Sequence, residues 1–286
     1  MREAGVSVLA VGFFDGVHLG HQAILRGADA ALTFRNHPLS VIAPDRAPPL
    51  IMGVDERLDA IRACGVRDVV ALDFTPGLAA MSPEEFVRMA SGRVPFGAVR
   101  CGENWRFGRG GEGDAAWLRG RGVSVDVVPY AVYGGERISS SRIRGCLGRG
   151  ELEAANAMMG RALCVAVRRF RGKGLGAGLG FPTVNFESDA PVLRLLPRGA
   201  YAVEAAGLCG VANYGVAPTM GEKAWGEPVL EVHFPDGAPP DDAPLEKVSF
   251  LRFMRAERRF AGVDDLRRQI ADDVNAVRAY WQSSRP

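Results

Sequence analysis

The chain has 286 residues and a mass of 30.6 kDa, enough for about two domains at roughly 150 residues each. Apolar residues make up 47% and charged residues 24% of the sequence, and glycine and proline together stay below a fifth. These proportions exclude the disordered and fibrous classes of protein. The 35 basic residues nearly balance the 33 acidic ones. We therefore expect neither nucleic acid nor a membrane as a partner, and any anionic ligand must be bound by a local site.

The five cysteines are odd in number, widely separated, and form no Cys-x-x-Cys pair. That pattern predicts neither a disulfide framework nor a zinc site. The N-terminus lacks a basic segment followed by a long apolar stretch, and the longest uncharged run, 205–221, is rich in glycine. We therefore expect a cytoplasmic protein with reduced thiols.

Strands and helices alternate from Ser7 to about Gly160, which is typical of βαβ units with a parallel sheet. In chain order the patterns predict a strand at VSVLAV, a helix after Gly20, a strand at AALTF, a helix over Asp55–Cys64, a strand at VVALDF, a helix at SPEEFVRMA, and strands at AVRCG and VSVDVVPY. The helix at Ser82 is strongly marked, because Ser-Pro-Glu-Glu supplies an N-cap, a proline at the first helical position and two acids in the first turn.

After a helix predicted over Glu151–Met159, the sequence changes to short strands separated by Gly, Pro and Asp. These strands are LCVAVRRF, AYAVEA, LCGVANYG, PVLEVHF and LEKVSFLRFM, which predict an antiparallel sheet or small barrel. From Asp264 onward an apolar stripe recurs every three or four residues and predicts a closing helix packed on the barrel; its members are Leu266, Ile270, Val274, Val277 and Trp281. The sequence thus predicts an α/β chain with a Rossmann-like domain at residues 1–159 and a β-barrel domain at residues 160–286.

The first candidate site is the turn from Gly12 to His21, where the first strand gives way to a helix. Open α/β sheets bind ligands at such junctions, and free amides at a helix start favour a phosphate. The side chains of His18 and His21 are three positions apart and can reach the same anion. A histidine pair by itself is more often structural, but its place in a Gly-rich turn favours phosphate binding. The turn residues expected to contact nucleotide are Gly12, Phe13, Asp15, Gly16 and Gly20.

The second candidate site is the segment Ile138–Arg144, where three hydroxyls precede a helix with two guanidiniums. Ser139, Ser140 and Ser141 can cap the helix and hold phosphates. Arg142 and Arg144 can stabilise the charge that develops during phosphoryl transfer. Seen alone, the segment is equally explained as a helix cap with surface arginines.

The third candidate site is the Gly-rich segment 172–185. Closely spaced glycines let a backbone wrap around phosphates, and a lysine adds positive charge. Thr183 and Asn185 offer the hard oxygen ligands that Mg²⁺ accepts beside nucleotide phosphates. A Gly-rich hairpin turn is the alternative explanation. The loop residues expected to bind nucleotide are Gly172, Lys173, Gly174, Gly178 and Gly180.

The two motifs of the first half resemble the nucleotidylyltransferase superfamily. The segments 33–38 (TFRNHP) and 102–108 (GENWRFG) resemble those of one branch, bacterial FAD synthetase. In the second half, 180–185 (GFPTVN), 210–215 (GVANYG), 228–233 (PVLEVH) and the ending around Arg255, Glu257 and Phe260 are similar to riboflavin kinase. Over its whole length the chain resembles the bacterial bifunctional riboflavin kinase/FAD synthetase family.

This resemblance implies an enzyme that phosphorylates riboflavin with ATP to FMN and then adenylylates FMN to FAD and pyrophosphate. It implies that Thr183 and Asn185 bind nucleotide and Mg²⁺, and that Glu231 is the base for the riboflavin hydroxyl. From the strand pattern alone, Glu231 is a solvent-facing residue or a buried proton acceptor. In the first domain, His18, His21 and Arg142 are expected to stabilise the transition state. Flavin contacts are expected from Asn104, Trp105, Arg106 and Phe107, and from Arg255, Glu257 and Phe260.

The sequence departs from the family in two places of the first domain. Only Gln22–Leu32 connects the histidine motif to the next strand, so the crossover helix must be about two turns long. Trp105 stands where the family has phenylalanine, which keeps an aromatic face but changes its size. Two alternatives therefore remain open: a riboflavin kinase whose first domain is impaired, and a non-catalytic flavin carrier. The sequence does not determine the oligomeric state.

Overall fold

The computed structural model describes residues 7–171, 175–215, 229–239 and 247–284. The chain divides into two compact units, Met1–Arg142 and Ile143–Pro286. Gly172, Lys173 and Gly174 lie outside the described residues, and their predicted role in nucleotide binding stays a prediction. Within the described residues no helix is both long enough and apolar enough to span a bilayer.

The first unit is built on a five-stranded parallel sheet in the order β3-β2-β1-β4-β5. Its elements are β1 (Val8–Val11), α1 (Leu19–Leu25), β2 (Ala30–Phe34), α2 (Leu39–Ile42), α3 (Val54–Arg62), β3 (Asp68–Leu72), α4 (Pro76–Ala79), α5 (Pro83–Arg93), β4 (Ala98–Gly102), α6 (Ala115–Arg119), β5 (Ser124–Val128) and a hairpin of β6 (Val132–Tyr133) and β7 (Glu136–Arg137). Because β1 is central, its carboxyl end lies where the strand order reverses, which is where open α/β sheets bind ligands.

The inner strands β1 and β2 of this sheet are mostly apolar and buried. All five residues of β2 are buried, as expected of an inner strand of a parallel sheet. One core cluster packs Leu9, Leu32 and Phe86 together, and a second packs Ala10, Leu25 and Ile61. Both clusters draw on β1 or its neighbour β2, so they fix the strand end that leads into α1.

The second unit begins within α7 (Ser140–Gly148) and contains a seven-stranded antiparallel sheet in the order β8-β14-β11-β12-β13-β10-β9. Its further elements are α8 (Leu152–Met159), β8 (Leu163–Ala166), β9 (Arg168–Phe170), α9 (Leu175–Gly178), β10 (Thr183–Glu187), β11 (Gly199–Ala205), β12 (Leu208–Gly215), β13 (Val229–His233), β14 (Lys247–Ala256) and α10 (Val263–Ser284).

The seven strands curl towards a barrel. A single residue, Val167, separates β8 at one edge of the sheet from β9 at the opposite edge. The two edges must therefore come together. Shifts in register where β11 pairs with β14 mark irregularities of the kind that bend a sheet. One face of the sheet is covered by α10, whose Val274 and Val277 pack against Ala202 and Val211.

The structure confirms the predicted fold class, a parallel sheet in the first half and an antiparallel one with a closing helix in the second. The crossover helix α1 has seven residues, so the short connection does support a helix of two turns. The capping box predicted at Ser82 is present, since Ser82 Oγ accepts from Glu85 N and Glu85 Oε2 accepts from Ser82 N. One prediction was wrong in detail: LCVAVRRF forms two strands, because the chain leaves one sheet edge and joins the other at Val167.

Candidate active sites

The turn between β1 and α1 has an unusual backbone. Phe14, Gly16 and Val17 all have positive φ, at 56°, 77° and 36°. Two of these residues carry side chains, and such conformations cost energy that the surrounding structure must supply. A Cβ on Gly12 would lie 2.9 Å from the Phe14 ring, so only glycine allows Phe14 to fold back there. The sequence therefore specifies a closely packed turn at the carboxyl end of the central strand.

Both histidines of the turn are held in place by the backbone and by each other. His18 is the N-cap of α1, and its Nδ1 accepts a hydrogen bond from His21 N at 3.2 Å. The two imidazoles stack with ring centroids 3.6 Å apart. Burial, followed by the charge of His18, holds the pKa of His21 well below its ordinary value. The Nδ1 atom of His21 is buried and has no hydrogen-bond partner among the described residues. A bound anion would give this Nδ1 atom a hydrogen-bond partner and would raise the lowered pKa of His21.

Asp15 ties the turn to two other segments of the first unit. Its buried carboxylate accepts hydrogen bonds from the backbone amides of Ile51 and Met52 at 3.1–3.2 Å. Its backbone carbonyl accepts one from Ser140 Oγ at 2.9 Å. The structure therefore brings the serine motif onto the histidine turn, although some 120 residues separate them in sequence. Asp15 has its side chain occupied in positioning the turn, which leaves backbone groups for a ligand.

Arg142 is anchored by the β6–β7 hairpin. Its Nη1 donates to the carbonyls of Tyr133 and Glu136, both at 2.9 Å, and its Nε lies 3.4 Å from the Glu136 carboxylate. Ser139 Oγ accepts from Arg142 N at 3.2 Å and so caps α7 as expected. Arg142 and the serines are thus at the candidate site, with several of the Arg142 donors already bound to the hairpin.

Arg57 was missed by the sequence analysis. It is completely buried, and its Nη2 donates to the carbonyls of Phe34 and Arg35 at the end of β2. Its guanidinium lies 4.1 Å from the centre of the Phe13 ring. Burial lowers the pKa of Arg57, and the charge of Asp15 partly offsets this. Arg57 therefore joins the histidine turn to the TFRNHP segment. Its place on an amphipathic helix gave no signal in the sequence.

The GENWRFG segment lies partly in the hydrophobic core. Phe107 is only 6% exposed, and its ring packs against Phe86, Trp105 and Trp117. Trp105 is half-buried and stacks on Phe107 with ring centroids 4.7 Å apart. Asn104 and Arg106 are exposed, and Arg106 pairs with Asp114 at 2.9 Å. Of the four predicted flavin contacts, Phe107 is the one whose ring is enclosed by protein.

In the second unit, the Gly-rich segment closes onto the start of β10. α9 is a single helical turn, and Gly180 beyond it has a φ of 86°. A Cβ on Gly176 would lie 2.4 Å from the Phe181 carbonyl and 3.1 Å from the Thr183 methyl group. Only glycine therefore lets the segment pack against Thr183. Gly178 has open space around it.

Strand pairing places Glu231 beside Asn185. β10 and β13 are antiparallel, and these residues are direct partners, so their side chains lie on the same face of the sheet. Leu230 and Val232 are buried on the opposite face, which shows that Glu231 does not enter the barrel core. Thr183 shares the face of Asn185 because it lies two residues earlier on the same strand. Three of the predicted kinase residues are therefore brought together.

The Glu231 carboxylate lies in a setting that favours a proton acceptor. Burial raises its pKa above the ordinary value. No hydrogen bond or ion pair reaches the Glu231 side chain from any other residue that the structure describes. A carboxylate that is half-buried and uncompensated binds a proton more readily than an exposed one.

The remaining predicted flavin contacts lie where β14 runs into α10. Arg255 donates to the buried Asp273 carboxylate from Nε at 3.0 Å and from Nη2 at 2.7 Å, so it fastens the strand to the helix. The Glu257 carboxylate lies against Gly215, where it would be 2.8 Å from an added Cβ. Phe260 lines a cavity of about 390 Å³ together with Arg258, Arg259, Asp265, Arg268, Gln269 and Asp272.

Among the described residues, no group of three or more His, Cys, Asp or Glu side chains is placed so that it could hold a metal ion. Thr183 and Asn185 instead offer a hydroxyl and a carboxamide on one face, and the Asn185 side chain makes no hydrogen bond with other described residues. Such a sparse set suits a Mg²⁺ ion that takes most of its ligands from phosphates and water.

Comparison with known proteins accounts for both units. A family model described as FAD synthetase matches residues 1–142, and one described as riboflavin kinase matches residues 159–281. The bifunctional riboflavin kinase/FMN adenylyltransferase of Escherichia coli K12 is 34% identical, covering 98% of this chain and 94% of that protein. Its namesake from Bacillus subtilis 168 is 29% identical over 99% and 95%. A crystal structure of a macrolide-efflux protein from Streptococcus pneumoniae matches with a TM-score of 0.82 and 25% identity, over 97% and 95% of the two chains.

Proposed function

The chain belongs to the bifunctional riboflavin kinase/FMN adenylyltransferase family, and from that premise we propose which residues carry each activity. The enzyme converts riboflavin and ATP to FMN, and FMN and a second ATP to FAD. The impaired and non-catalytic alternatives are not supported, since both domains are present. The alignment of Asn185 with an uncompensated Glu231 on one sheet face is the observation that carries the proposal.

For the kinase step, we assign the base to Glu231. The terminal ribityl hydroxyl of riboflavin attacks the γ-phosphorus of ATP, its proton passes to the Glu231 carboxylate, and ADP leaves. General-base catalysis of this kind is worth on the order of 10²–10⁴-fold. The raised pKa of Glu231 suits the role, because the carboxylate then has a greater affinity for the proton it must accept. Phe260 and its cavity, together with Glu257 and Arg255, are assigned to the flavin.

For the nucleotide of the kinase step, we assign the Gly-rich segment, Thr183 and Asn185. Gly176 and Gly180 shape the backbone so that amides can face phosphate oxygens, and Gly178 leaves open space there. Thr183 and Asn185 would hold the divalent ion, for which Mg²⁺ is our proposal. When bound, the ion would neutralise part of the negative charge of the phosphates during transfer.

For the adenylyl transfer, we assign His18, His21 and the serine motif. The FMN phosphate attacks the α-phosphorus of ATP, the bond to the β-phosphate breaks, and pyrophosphate leaves. The unpartnered Nδ1 of His21 and the stacked His18 ring offer donors for the developing charge. Ser139, Ser140, Ser141, Arg142 and Arg144 provide further donors at the start of α7. Asn104 and Trp105 are the proposed flavin contacts, with Phe107 supporting Trp105 from the core.

The assignment is tested with the full chain, riboflavin, ATP and MgCl₂, with FMN and FAD resolved by chromatography. Glu231→Gln is expected to lower FMN formation by two to four orders of magnitude while FAD is still made from added FMN. The matched control is Glu204→Gln, a glutamate on β11 of the same sheet, which should behave like the unmodified enzyme. Normal FMN formation by Glu231→Gln would remove the base assignment. Chelation of divalent metal ions should stop FMN formation.

We also propose a cytoplasmic location. The expectation rested on the spacing of the cysteines, on the N-terminal sequence and on the composition of the longest uncharged run. All five cysteines are free thiols in the structure, as suits a reducing compartment. Fractionation of cells that express a tagged chain tests this, and activity confined to a membrane or periplasmic fraction would contradict it.

A further inference from the structure

A third polar residue stands in line with Asn185 and Glu231. Asn213 on β12 is the direct antiparallel partner of Glu231, on the side away from Asn185. Direct partners of this kind have Cβ atoms about 4.5–5.5 Å apart and side chains on one face. Asn185, Glu231 and Asn213 therefore form a continuous polar row across three strands, although 18 residues or more separate them in sequence.

The two ends of this polar row differ in exposure. Asn185 is only 8% exposed, and it follows Thr183 and the Gly-rich segment. Asn213 is exposed. It lies two residues beyond Val211, which α10 covers through Val274 and Val277. We assign the nucleotide to Thr183 and Asn185, so it approaches Glu231 from the β10 side. The β12 side, with Asn213, is left for the molecule that accepts the phosphate.

The spacing within the row suits a hydroxyl group. Neither Asn213 nor Glu231 makes a side-chain hydrogen bond with any residue in the described part of the chain. A hydroxyl that attacks phosphorus needs an acceptor for its proton, and the lone pair that does not attack can accept a hydrogen bond that orients the oxygen. Glu231 provides the acceptor and the Asn213 carboxamide provides the donor on the same face.

We propose that Asn213 contacts the substrate, with its Nδ2–H donating to the terminal ribityl hydroxyl of riboflavin whose proton Glu231 accepts. The new bond joins this oxygen to the γ-phosphorus, the bond from the γ-phosphorus to the β-phosphate oxygen breaks, and the proton moves to Glu231. Asn213 stays neutral and transfers no proton in this step. The inference rests on the proposed function of Glu231, and it adds a determinant of specificity for a flavin that carries this hydroxyl.

The test compares riboflavin with its 5′-deoxy analogue, which lacks the terminal hydroxyl. Binding of both to the full-length enzyme is followed by quenching of flavin fluorescence in the presence of ADP and MgCl₂. The unmodified enzyme should favour riboflavin, because the hydroxyl donates to Glu231 and accepts from Asn213. In Asn213→Ala only the bond to Glu231 remains, so the preference should fall by about twofold to tenfold, the share of one neutral hydrogen bond. The kcat/KM for riboflavin should fall by a similar factor, with KM for ATP unchanged. Asn275→Ala, at an exposed position on α10, is the matched control.

Each result decides the inference. A full preference for riboflavin in Asn213→Ala overturns it, even if the rate falls, because a merely structural role would lower the rate without changing the discrimination. If Asn213→Ala melts at a lower temperature, Asn213→Ser replaces it, and partial recovery of the preference by the serine hydroxyl supports the inference. Glu231→Gln is assayed in parallel. Its normal activity would refute the proposed base, whereas an inactive Glu231→Gln beside an unaltered Asn213→Ala refutes the role of Asn213 alone.

Discussion

The two units build their phosphoryl-transfer sites by different means. In the first, consecutive residues from Gly12 to His21 are folded into one turn with several positive φ values, and buried contacts hold that turn in place. In the second, residues from separate strands are aligned by the antiparallel pairing of β10, β13 and β12. A site made from one turn depends on local backbone geometry, whereas a site made from paired strands depends on the whole sheet. Changes at each site should therefore affect different properties.

The largest expected effect tests whether the two activities are separate. His18→Ala should lower FAD formation from FMN on the order of 10²–10³-fold, the usual cost of removing one donor to a developing negative charge. FMN formation from riboflavin should stay unchanged, because the kinase residues belong to the other unit. Both rates are measured on one preparation, with thermal melting as the control for folding. Equal loss of both activities would contradict the separation.

The next effect concerns the Gly-rich segment. Gly176→Ala should raise KM for ATP in the kinase reaction by about 10- to 100-fold. The Cβ of the new alanine would clash with the Phe181 carbonyl and displace Thr183. Gly262→Ala is the control, because no atom lies within 4 Å of its added Cβ, and its kinetics should be normal. Steady-state rates at varied ATP measure both. If Gly176→Ala has a normal KM, the segment does not position the nucleotide.

A smaller effect is expected in the stability of the first unit. Arg57→Met removes the hydrogen bonds to the Phe34 and Arg35 carbonyls and should lower the free energy of unfolding by about 2 kcal/mol. Arg57→Lys keeps a charge near these carbonyls and should lose less. Hydrogen exchange at the amides of β1 and β2 in increasing urea measures this, and the amides of β12 serve as the internal control. Equal loss of protection in both units would mean that the two do not unfold separately.

The smallest effect is a difference in pH dependence. Burial raises the pKa of Glu231, so FMN formation should decline as pH falls through a value above the ordinary carboxyl pKa.

Burial lowers the pKa of His21, so its imidazole stays neutral below the ordinary histidine pKa. Protonation of His21 should therefore destabilise the first unit only as pH falls below that ordinary value, because the unfolded chain takes up the proton first. Profiles of kcat/KM for riboflavin, and thermal melting against pH, measure the two. A Glu231→Gln profile that retains the same acid limb would assign that limb to another group.

Local features were the ones that the sequence could predict. The histidine turn, the cap at Ser82 and the two-turn crossover are all specified by neighbouring residues, and the structure contains each of them. Arg57 was missed because its partners Phe13 and Phe34 are distant in sequence, and a buried arginine has the same pattern as an exposed one. Asn213 was noticed only as part of the GVANYG segment, since its place beside Glu231 depends on which residues pair across β12 and β13. The break at Val167 was missed because alternation continues through it.

The strand pairing that aligns Asn185, Glu231 and Asn213 also limits how the second unit can evolve. A substitution changes one member of the row, but deletion of a single codon within β13 moves every later side chain to the opposite face. Loss of the codon for Val229 or Leu230, for example, would place Val232 between the two asparagines and turn Glu231 into the apolar interior. Length variation among descendants of this gene should therefore be absent from β10, β12 and β13, while the amino acids at their core-facing positions can still be exchanged for others of similar volume.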